Sequence, residues 1–214
     1  DETGSTNTDL LLAASEGAQD RTVLVARHQT AGRGRLDRRW DAPAGSNLLV
    51  SLLFRVVPED PHVLTQRVGL AAIAACEAVA GVRPTLKWPN DLLLGGRKLA
   101  GILAQAQLGA VPAVVVGIGL NVGWAPEEGA LLGEGVDPLD VLAALLTAYD
   151  ALPGDVWSLY RANLGTLGHR VRVDLPDGEV VGRAVDVQPD GRLVVVDDCT
   201  ITHRFAVGDV VHLR

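Results

Sequence analysis

Gln29-Thr30-Ala31-Gly32-Arg33-Gly34-Arg35, continued by Leu36-Asp37-Arg38-Arg39-Trp40, is the stretch on which the reading of this chain turns. It lies in a polar, glycine-rich loop between two apolar runs, Thr22 to Arg27 and Leu48 to Arg55. Both runs read as strands, the first as a buried one. Four arginines crowd between glycines here, in a chain whose formal net charge is -7. Glycine lets backbone N–H groups approach an anion, and arginine adds bidentate contacts to phosphate or carboxylate. A solvated basic loop is the plain alternative, and the flanking glycines and Trp40 weigh against it. The acidic balance elsewhere argues against broad binding to nucleic acid or an anionic membrane, so any anion is gripped locally.

Outward from the loop, Thr6 or Asn7 is placed to cap a helix through Leu10 and Ala14 that ends near Gly17. Pro61 opens a long helix, with Leu64, Val68, Ala71, Ala72, Ala75 and Val79 at helical spacing up to Gly81. A strand at Thr85 to Trp88 leads into a Pro89-Asn90-Asp91 turn and Leu92 to Leu94. Gly95-Gly96 then fits a tight turn into Lys98 to Gln107. Ala113 to Ile118 is a further strand, ending in Gly117-Ile118-Gly119-Leu120-Asn121. Trp124 to Val136 is loop-like, and helices are expected at Leu139 to Tyr149 and Val156 to Leu164. From Gly168 short β runs (170–175, 180–187, 193–196 and 210–213) alternate with turns at Pro176-Asp177-Gly178 and Pro189-Asp190-Gly191, suggesting a small barrel. The expected division is 1–165 and 166–214, since 214 residues suffice for one core and a small satellite.

No stretch approaches the roughly 18 uninterrupted apolar residues of a membrane span, and Asp1-Glu2-Thr3-Gly4 lacks the basic and apolar parts of a signal peptide. Cys76 lies in an alanine-rich run and reads as a buried small hydrophobe; a bridge to Cys199 has no support. The expected setting is reducing and cytoplasmic, without membrane attachment. The chain has no methionine, so its start is expected to be processed or trimmed.

All basic residues except Lys87 and Lys98 are arginine. A coding bias towards arginine leaves lysine mainly where a compact ammonium is needed. Lys87 stands in Lys87-Trp88-Pro89-Asn90-Asp91 and Lys98 in Lys98-Leu99-Ala100-Gly101-Ile102-Leu103; alone, a capping turn and an edge-strand lysine would explain them. With the arginines they suit a site that brings two anionic groups together. Trp40, Trp88 and Trp124 lie in or near these loops, where an indole serves a core or walls a flat ligand.

Five segments in order, Gly-Ser-Thr-Asn at 4–7, Gln-Thr-Ala-Gly-Arg-Gly-Arg at 29–35, Lys-Trp-Pro-Asn-Asp at 87–91, Lys-Leu-Ala-Gly-Ile-Leu at 98–103 and Gly-Ile-Gly-Leu-Asn at 117–121, make the chain resemble the biotin protein ligases. The resemblance implies an α+β fold: a mixed-sheet, class II synthetase-like catalytic domain with helices, then an SH3-like β barrel. It implies that biotin and ATP, with Mg²⁺, give biotinyl-5′-adenylate and pyrophosphate, and that biotin then passes to a lysine of a biotin carboxyl carrier protein domain. A homodimer stays open, and no nucleic acid partner is expected of this chain.

By the same resemblance, Ser5, Thr6, Asn7 and Gln29 hold the biotin ureido ring. Gly32, Trp40, Gly101, Leu103, Gly117 and Gly119 also belong to the biotin side, and the two glycines of the 117–121 segment let the ligand lie against backbone. Arg33, Gly34 and Arg35 close over the adenylate and exclude water. The catalytic set is Lys98, the main electrostatic group, with Arg33, Lys87 and Asp91. Asn90 and Asp91 form the nucleotide and magnesium side. Asp91 is the candidate metal ligand and the base for the incoming lysine. Asn121 contacts adenine or ribose, and Arg33, Arg35, Trp40, Lys87 and Lys98 also border ATP. Two departures stand out: Leu36-Asp37-Arg38 where many members have a glycine before the next basic residue, and a first strand that should precede Gly4.

Lipoate ligases and octanoyl transferases share the catalytic fold, but their glycine-rich signature is missing. A biotin-responsive transcriptional repressor would add an N-terminal helix-turn-helix; residues 1–20 offer one helix, so the alternative is a bifunctional ligase and repressor truncated upstream. A plain scaffold module predicts no ATP-dependent pyrophosphate release.

Overall fold

A computed structural model describes residues 1–107 and 112–213. In chain order the elements are β1 (Glu2–Thr3), α1 (Thr6–Ser15), β2 (Val23–Ala26), β3 (His28–Gln29), β4 (Leu48–Phe54), α2 (His62–Ala80), β5 (Thr85–Lys87), β6 (Asp91–Leu94), β7 (Arg97–Gln107) and β8 (Ala113–Leu120). Then follow α3 (Pro138–Ala151), α4 (Trp157–Asn163), β9 (Arg170–Leu175), β10 (Gly178–Val187), β11 (Leu193–Asp197), β12 (Thr202–Phe205) and β13 (Asp209–His212). Six strands form one sheet in the order β2-β4-β8-β7-β6-β5, and every neighbouring pair is antiparallel. β1 and β3 pair in parallel as a separate two-stranded ribbon.

β4 reads Leu-Leu-Val-Ser-Leu-Leu-Phe, and every residue is buried, because β4 lies between β2 and β8 with both faces covered. Alternation decides what each face meets. Leu53 and Val115 pack with Leu10 and Ala14 of α1. Leu52, Phe54, Val114 and Val116 turn the other way, into the core they share with α2 and α3. Each leucine buried there contributes about 1.5–3 kcal/mol. β2 departs from the expected buried strand: it is the edge of the sheet, with Val25 43% exposed.

α2 starts after Pro61 and stops at Gly81, whose φ of +67° is the left-handed cap that only glycine adopts readily. By length and composition α2 could cross a bilayer, yet most of it is buried in the core. The helix expected to be capped by Thr6 or Asn7 instead has Ser5 as its N-cap, without a side-chain bond. Thr6 and Asn7 are its first turn, which frees their side chains for the site below.

From Arg170 a second, five-stranded antiparallel sheet runs β12-β11-β10-β9-β13. β12, absent from the sequence reading, pairs with β11 although Thr202-His203-Arg204-Phe205 is largely polar. This sheet is tied to the first by the Trp88 indole N–H, which donates to the Gly191 carbonyl at 2.9 Å, and by Thr166 Oγ1, which accepts from Trp88 N at 2.9 Å. Trp88 is therefore a core residue, 2% exposed, and not a ligand wall. Cys76 is buried, Cys199 is exposed, and both thiols are free; burial pushes the Cys76 thiol up to about 12.

Candidate active site

The sheet alternation that sends Leu53 and Val115 to α1 also points Ser51, Gly117, Gly119, Gly101, Leu103 and Gln105 to the same face, beyond the start of that helix. Gly101 on β7 lies opposite Gly119 on β8. With no Cβ on either, the sheet presents bare backbone there and a slot opens above it. The slot is a cavity of about 370 Å³. Of the residues expected in the site, all but Gly32 and Lys87 line it.

At one end stand Ser5, Thr6 and Asn7, each no more than 5% exposed. Gln29 Oε1 accepts from Thr6 N at 2.8 Å and lies 3.0 Å from Thr6 Oγ1, so the Gln29 side chain satisfies the helix N-terminus that Ser5 leaves open. Asn7 Nδ2 donates to the Leu103 carbonyl at 3.0 Å and to Gln105 Oε1 at 2.9 Å. Asn7 Oδ1 lies over Gly117, where any Cβ would collide with it. Ser51 Oγ lies 2.6 Å from Asn7 Oδ1 and 2.7 Å from Thr6 Oγ1.

At the other end Lys98 Nζ sits 2.7 Å from Asp91 Oδ1, a buried oxygen with no other cation as partner among the described residues. Asn90 Nδ2 donates to the Ile102 carbonyl at 2.8 Å, and Asn90 Oδ1 accepts from Arg35 Nη1 at 3.1 Å. Arg35 Nη2 reaches the Gly208 carbonyl of the C-terminal sheet at 3.1 Å. Burial lowers the Arg35 pKa, while the Asp209 and Asp91 carboxylates oppose that shift. Arg38 pairs with Asp209, so the arginine loop is fastened to β13 as well as to the turn before β6. Arg33 lines the cavity and, among the described residues, has no ion-pair partner.

The loop also carries Trp40, whose indole rests against the glycine floor. A Cβ on Gly119 would come within 2.5 Å of indole atoms, and one on Gly101 within 3.2 Å. The Lys98 ammonium is 5.7 Å from the ring centroid, within cation–π range. Trp40 Nε1 is buried without a partner among the described residues, which leaves a donor for a ligand. Leu36 sits at φ +55° inside a short 3₁₀ turn, Arg35–Asp37, where the expected glycine would have been at ease.

Gly32 lies behind the lining, with its carbonyl accepting from Trp40 N at 3.0 Å to close the base of the loop. Lys87 stands outside the cavity on β5, near enough to His212 to oppose that imidazole's protonation. Asn121 lines the cavity, but its amide is engaged in the protein: Nδ2 donates to the Ala130 carbonyl at 2.9 Å and Oδ1 accepts from Asn47 at 3.2 Å. Trp124 is not in the lining; its backbone N–H donates to Asn47 Oδ1 at 3.2 Å. Ser51, Gln105, Asn47 and Asp209 went unnoticed in the sequence. Ser51 alone had a visible signal, as the one polar residue of β4.

The model of the Biotin/lipoate A/B protein ligase family matches residues 2–121, and that of the Biotin protein ligase C terminal domain matches residues 166–213. The biotin--[acetyl-CoA-carboxylase] ligase of Mycobacterium tuberculosis is 43% identical over 100% of this chain and 87% of its own. The bifunctional ligase/repressor BirA of Bacillus subtilis is 30% identical over 85% of this chain, which spans 63% of that longer protein. A structure of the biotin protein ligase of Aquifex aeolicus in complex with biotin and ATP superposes with a TM-score of 0.79 and 27% identity, covering 100% of this chain and 96% of that one. With family matches over both sheets and that identity along its whole length, the chain belongs to the biotin protein ligases of the biotin/lipoate A/B protein ligase family.

Proposed function

We propose that this enzyme activates biotin with ATP to biotinyl-5′-adenylate and transfers the biotinyl group to a lysine of a biotin carrier domain of an acyl-CoA carboxylase. The observation that carries the reading is one cavity with a neutral hydrogen-bonding end, Thr6, Asn7 and Gln29, and a charged end, Lys98, Arg33 and Arg35. Biotin has the same polarity: a neutral cyclic urea at one end and a carboxylate at the other. The match of residues 166–213 to the biotin protein ligase C-terminal domain favours biotin over lipoate.

In the first step a carboxylate oxygen of biotin attacks the α-phosphorus of ATP, and the bond to pyrophosphate breaks. Two anions must meet, so the work is electrostatic. Lys98 is assigned to the carboxylate and α-phosphate, and Arg33, without a carboxylate partner, to the phosphate charge. Arg35 and Arg38 hold the loop down so that water is kept from the mixed anhydride. In the second step the carrier lysine attacks as a neutral amine and AMP leaves. Asp91, at 2.7 Å from Lys98 in the resting site, is assigned as the acceptor of the amine proton.

Magnesium fits on chemical grounds. No cluster of three ligating side chains exists among the described residues, and an ion arriving with ATP takes most of its ligands from phosphate and water. Asp91 would supply a carboxylate from the charged end of the cavity, and the ion would neutralise phosphate charge. The domain boundary is assigned near residues 165–168, the link between α4 and β9.

Incubating the enzyme with biotin, ATP, Mg²⁺ and a carrier domain, and weighing the carrier by mass spectrometry, tests the reading. The expected result is a gain of one biotinyl group on a single lysine. Lipoyl transfer under matched conditions, with no biotinyl transfer, would overturn it.

A further inference from the structure

The carboxamide of Asn7 reaches across three strands. Ser51 of β4, Gly117 of β8 and Leu103 of β7 are direct cross-strand partners, so they form one row with Gly117 in the middle. On one side of the row Asn7 Oδ1 accepts from Ser51 Oγ at 2.6 Å. On the other, Asn7 Nδ2 donates to the Leu103 carbonyl at 3.0 Å and to Gln105 Oε1 at 2.9 Å. Both amide hydrogens are thus engaged inside the protein. A side chain on the middle strand would bar this bridge: a Cβ at position 117 would stand 2.1 Å from Asn7 Oδ1 and 2.9 Å from its Cγ.

Nothing in the backbone calls for glycine there, since Gly117 lies in regular strand without a left-handed φ. Glycine inside a strand weakens it and commonly marks a close approach. Here the approaching group is Asn7, which already fills the space that a ligand lying against bare backbone would need. The bridge fixes the first turn of α1. Ser5 and Thr6, next to Asn7 in the chain, line the cavity, and Gln29 Oε1 accepts the Thr6 backbone N–H at 2.8 Å. To regain ordinary contact of about 3.5 Å from a Cβ at 117, the carboxamide must withdraw by about an ångström and give up its partners on both sides.

We propose that Gly117 is a positioning residue for the ligand end of the cavity: it carries no side chain so that Asn7 can cross β8 and hold Ser5 and Thr6 at the cavity wall. This rests on the biotin reading, under which that wall takes the ureido ring. Gly117 acts through Asn7 and not by meeting the ligand.

The test is a double-mutant cycle of Gly117→Ala and Asn7→Ala. Calorimetry gives the dissociation constant for biotin, pyrophosphate release at saturating biotin gives the KM for ATP, and melting curves check the fold. Each single variant should bind biotin about tenfold to hundredfold more weakly, the scale of a buried polar group stripped of its partner, with the KM for ATP nearly unchanged. In the Asn7→Ala background Gly117→Ala should weaken biotin no further, because the obstructed group is gone. The contact then left, 3.2 Å to Ser51 Oγ, needs a shift of only a few tenths of an ångström. If Gly117→Ala weakens biotin as much in the Asn7→Ala background as in wild type, the added methyl meets the ligand itself and the proposal is overturned. Lowered melting with unchanged biotin affinity overturns it too, by making the glycine merely structural. Should Gly117→Ala not fold, the double variant decides: recovery of the fold supports the seat, and continued failure to fold refutes it. Wild-type protein that binds no biotin would instead remove the functional reading itself.

Discussion

Gly119→Ala separates the geometry of the site from its stability. A Cβ at this position would lie 2.5 Å from Cε2 and Nε1 of Trp40 and 2.9 Å from Cδ2. Ordinary contact between such atoms is about 3.5–4.0 Å, so the indole must retreat by about an ångström. In a closed core that overpacking costs about 1–3 kcal/mol. Trp40 stands on a loop rather than in a closed core, so the melting temperature should fall little, the cost lying at the lower end of that range, about 1 kcal/mol. The functional cost should be larger: Trp40, Lys98 and the arginines share one site, and a misplacement of about an ångström costs on the order of a hundredfold in rate. Biotin- and ATP-dependent pyrophosphate release gives the rate, and thermal melting gives the stability. A double-mutant cycle with Trp40→Ala isolates the cause, since removing the indole removes the collision. If Gly119→Ala lowers the rate as much in the Trp40→Ala background as in wild type, the collision with Trp40 is not its mechanism and the reasoning fails.

Lys98→Ala should lose about a hundredfold or more in adenylate formation, as for other preorganised charge stabilisers, and its half-exposed ion pair with Asp91 should cost about 1 kcal/mol or less in stability; near-wild-type pyrophosphate exchange would refute its assignment. Asp209→Ala removes the partner of Arg38. Such surface pairs contribute about 0–1 kcal/mol, so melting should barely change, while free biotinyl-adenylate appears in solution faster when no carrier is present; unaltered leakage would mean the loop is not held from the C-terminal sheet. His212 is held at about 4, against an ordinary 6.5, by burial first and then by His169 and Lys87. Its folded-state pKa is lowered, so the unfolded chain takes the proton first, and stability is lost as pH falls from 6.5 towards 4. The shift has a ceiling of about 3.4 kcal/mol, and solvent screening of this half-buried ring reduces it to about 1–2 kcal/mol. Urea denaturation of wild type and His212→Gln should show a flatter pH dependence for the variant across that window, and parallel curves would count against the assignment.

Features that depend on local spacing were legible in the sequence. Pro61 and Gly81 bound α2 because a fixed φ and a left-handed cap act within one residue of the helix end. Gly117 and Gly119 announced a bare strand face because side chains alternate along any strand. The segments at 4–7, 29–35, 87–91, 98–103 and 117–121 pointed to one site, and each sends residues to a single cavity. Features that depend on which surfaces meet were not legible. Trp88 sits among motif residues, yet its indole is consumed by the Gly191 carbonyl of the second sheet. Lys87 looked like a second ammonium for the anions, and its neighbour is His212. β2 has the apolar composition of a central strand and lies at an edge, because no local pattern records how many strands flank it.

The arginine loop joins these two kinds of information. Its glycines and arginines state what it can hold, an anion, and nothing in residues 29–41 states what holds the loop. That answer lies in Asn90, in the turn before β6, and in Gly208 and Asp209, where β13 begins. Arg35 spends one side of its guanidinium on each sheet, so the geometry that lets Arg33 and Trp40 face the cavity depends on the second sheet being docked. The Trp88–Gly191 and Trp88–Thr166 bonds supply that docking from within the Lys87–Asp91 motif itself. A substitution that loosens the C-terminal sheet, although remote from biotin in the chain, should therefore appear first as a leaking adenylate and only later as an unfolded protein.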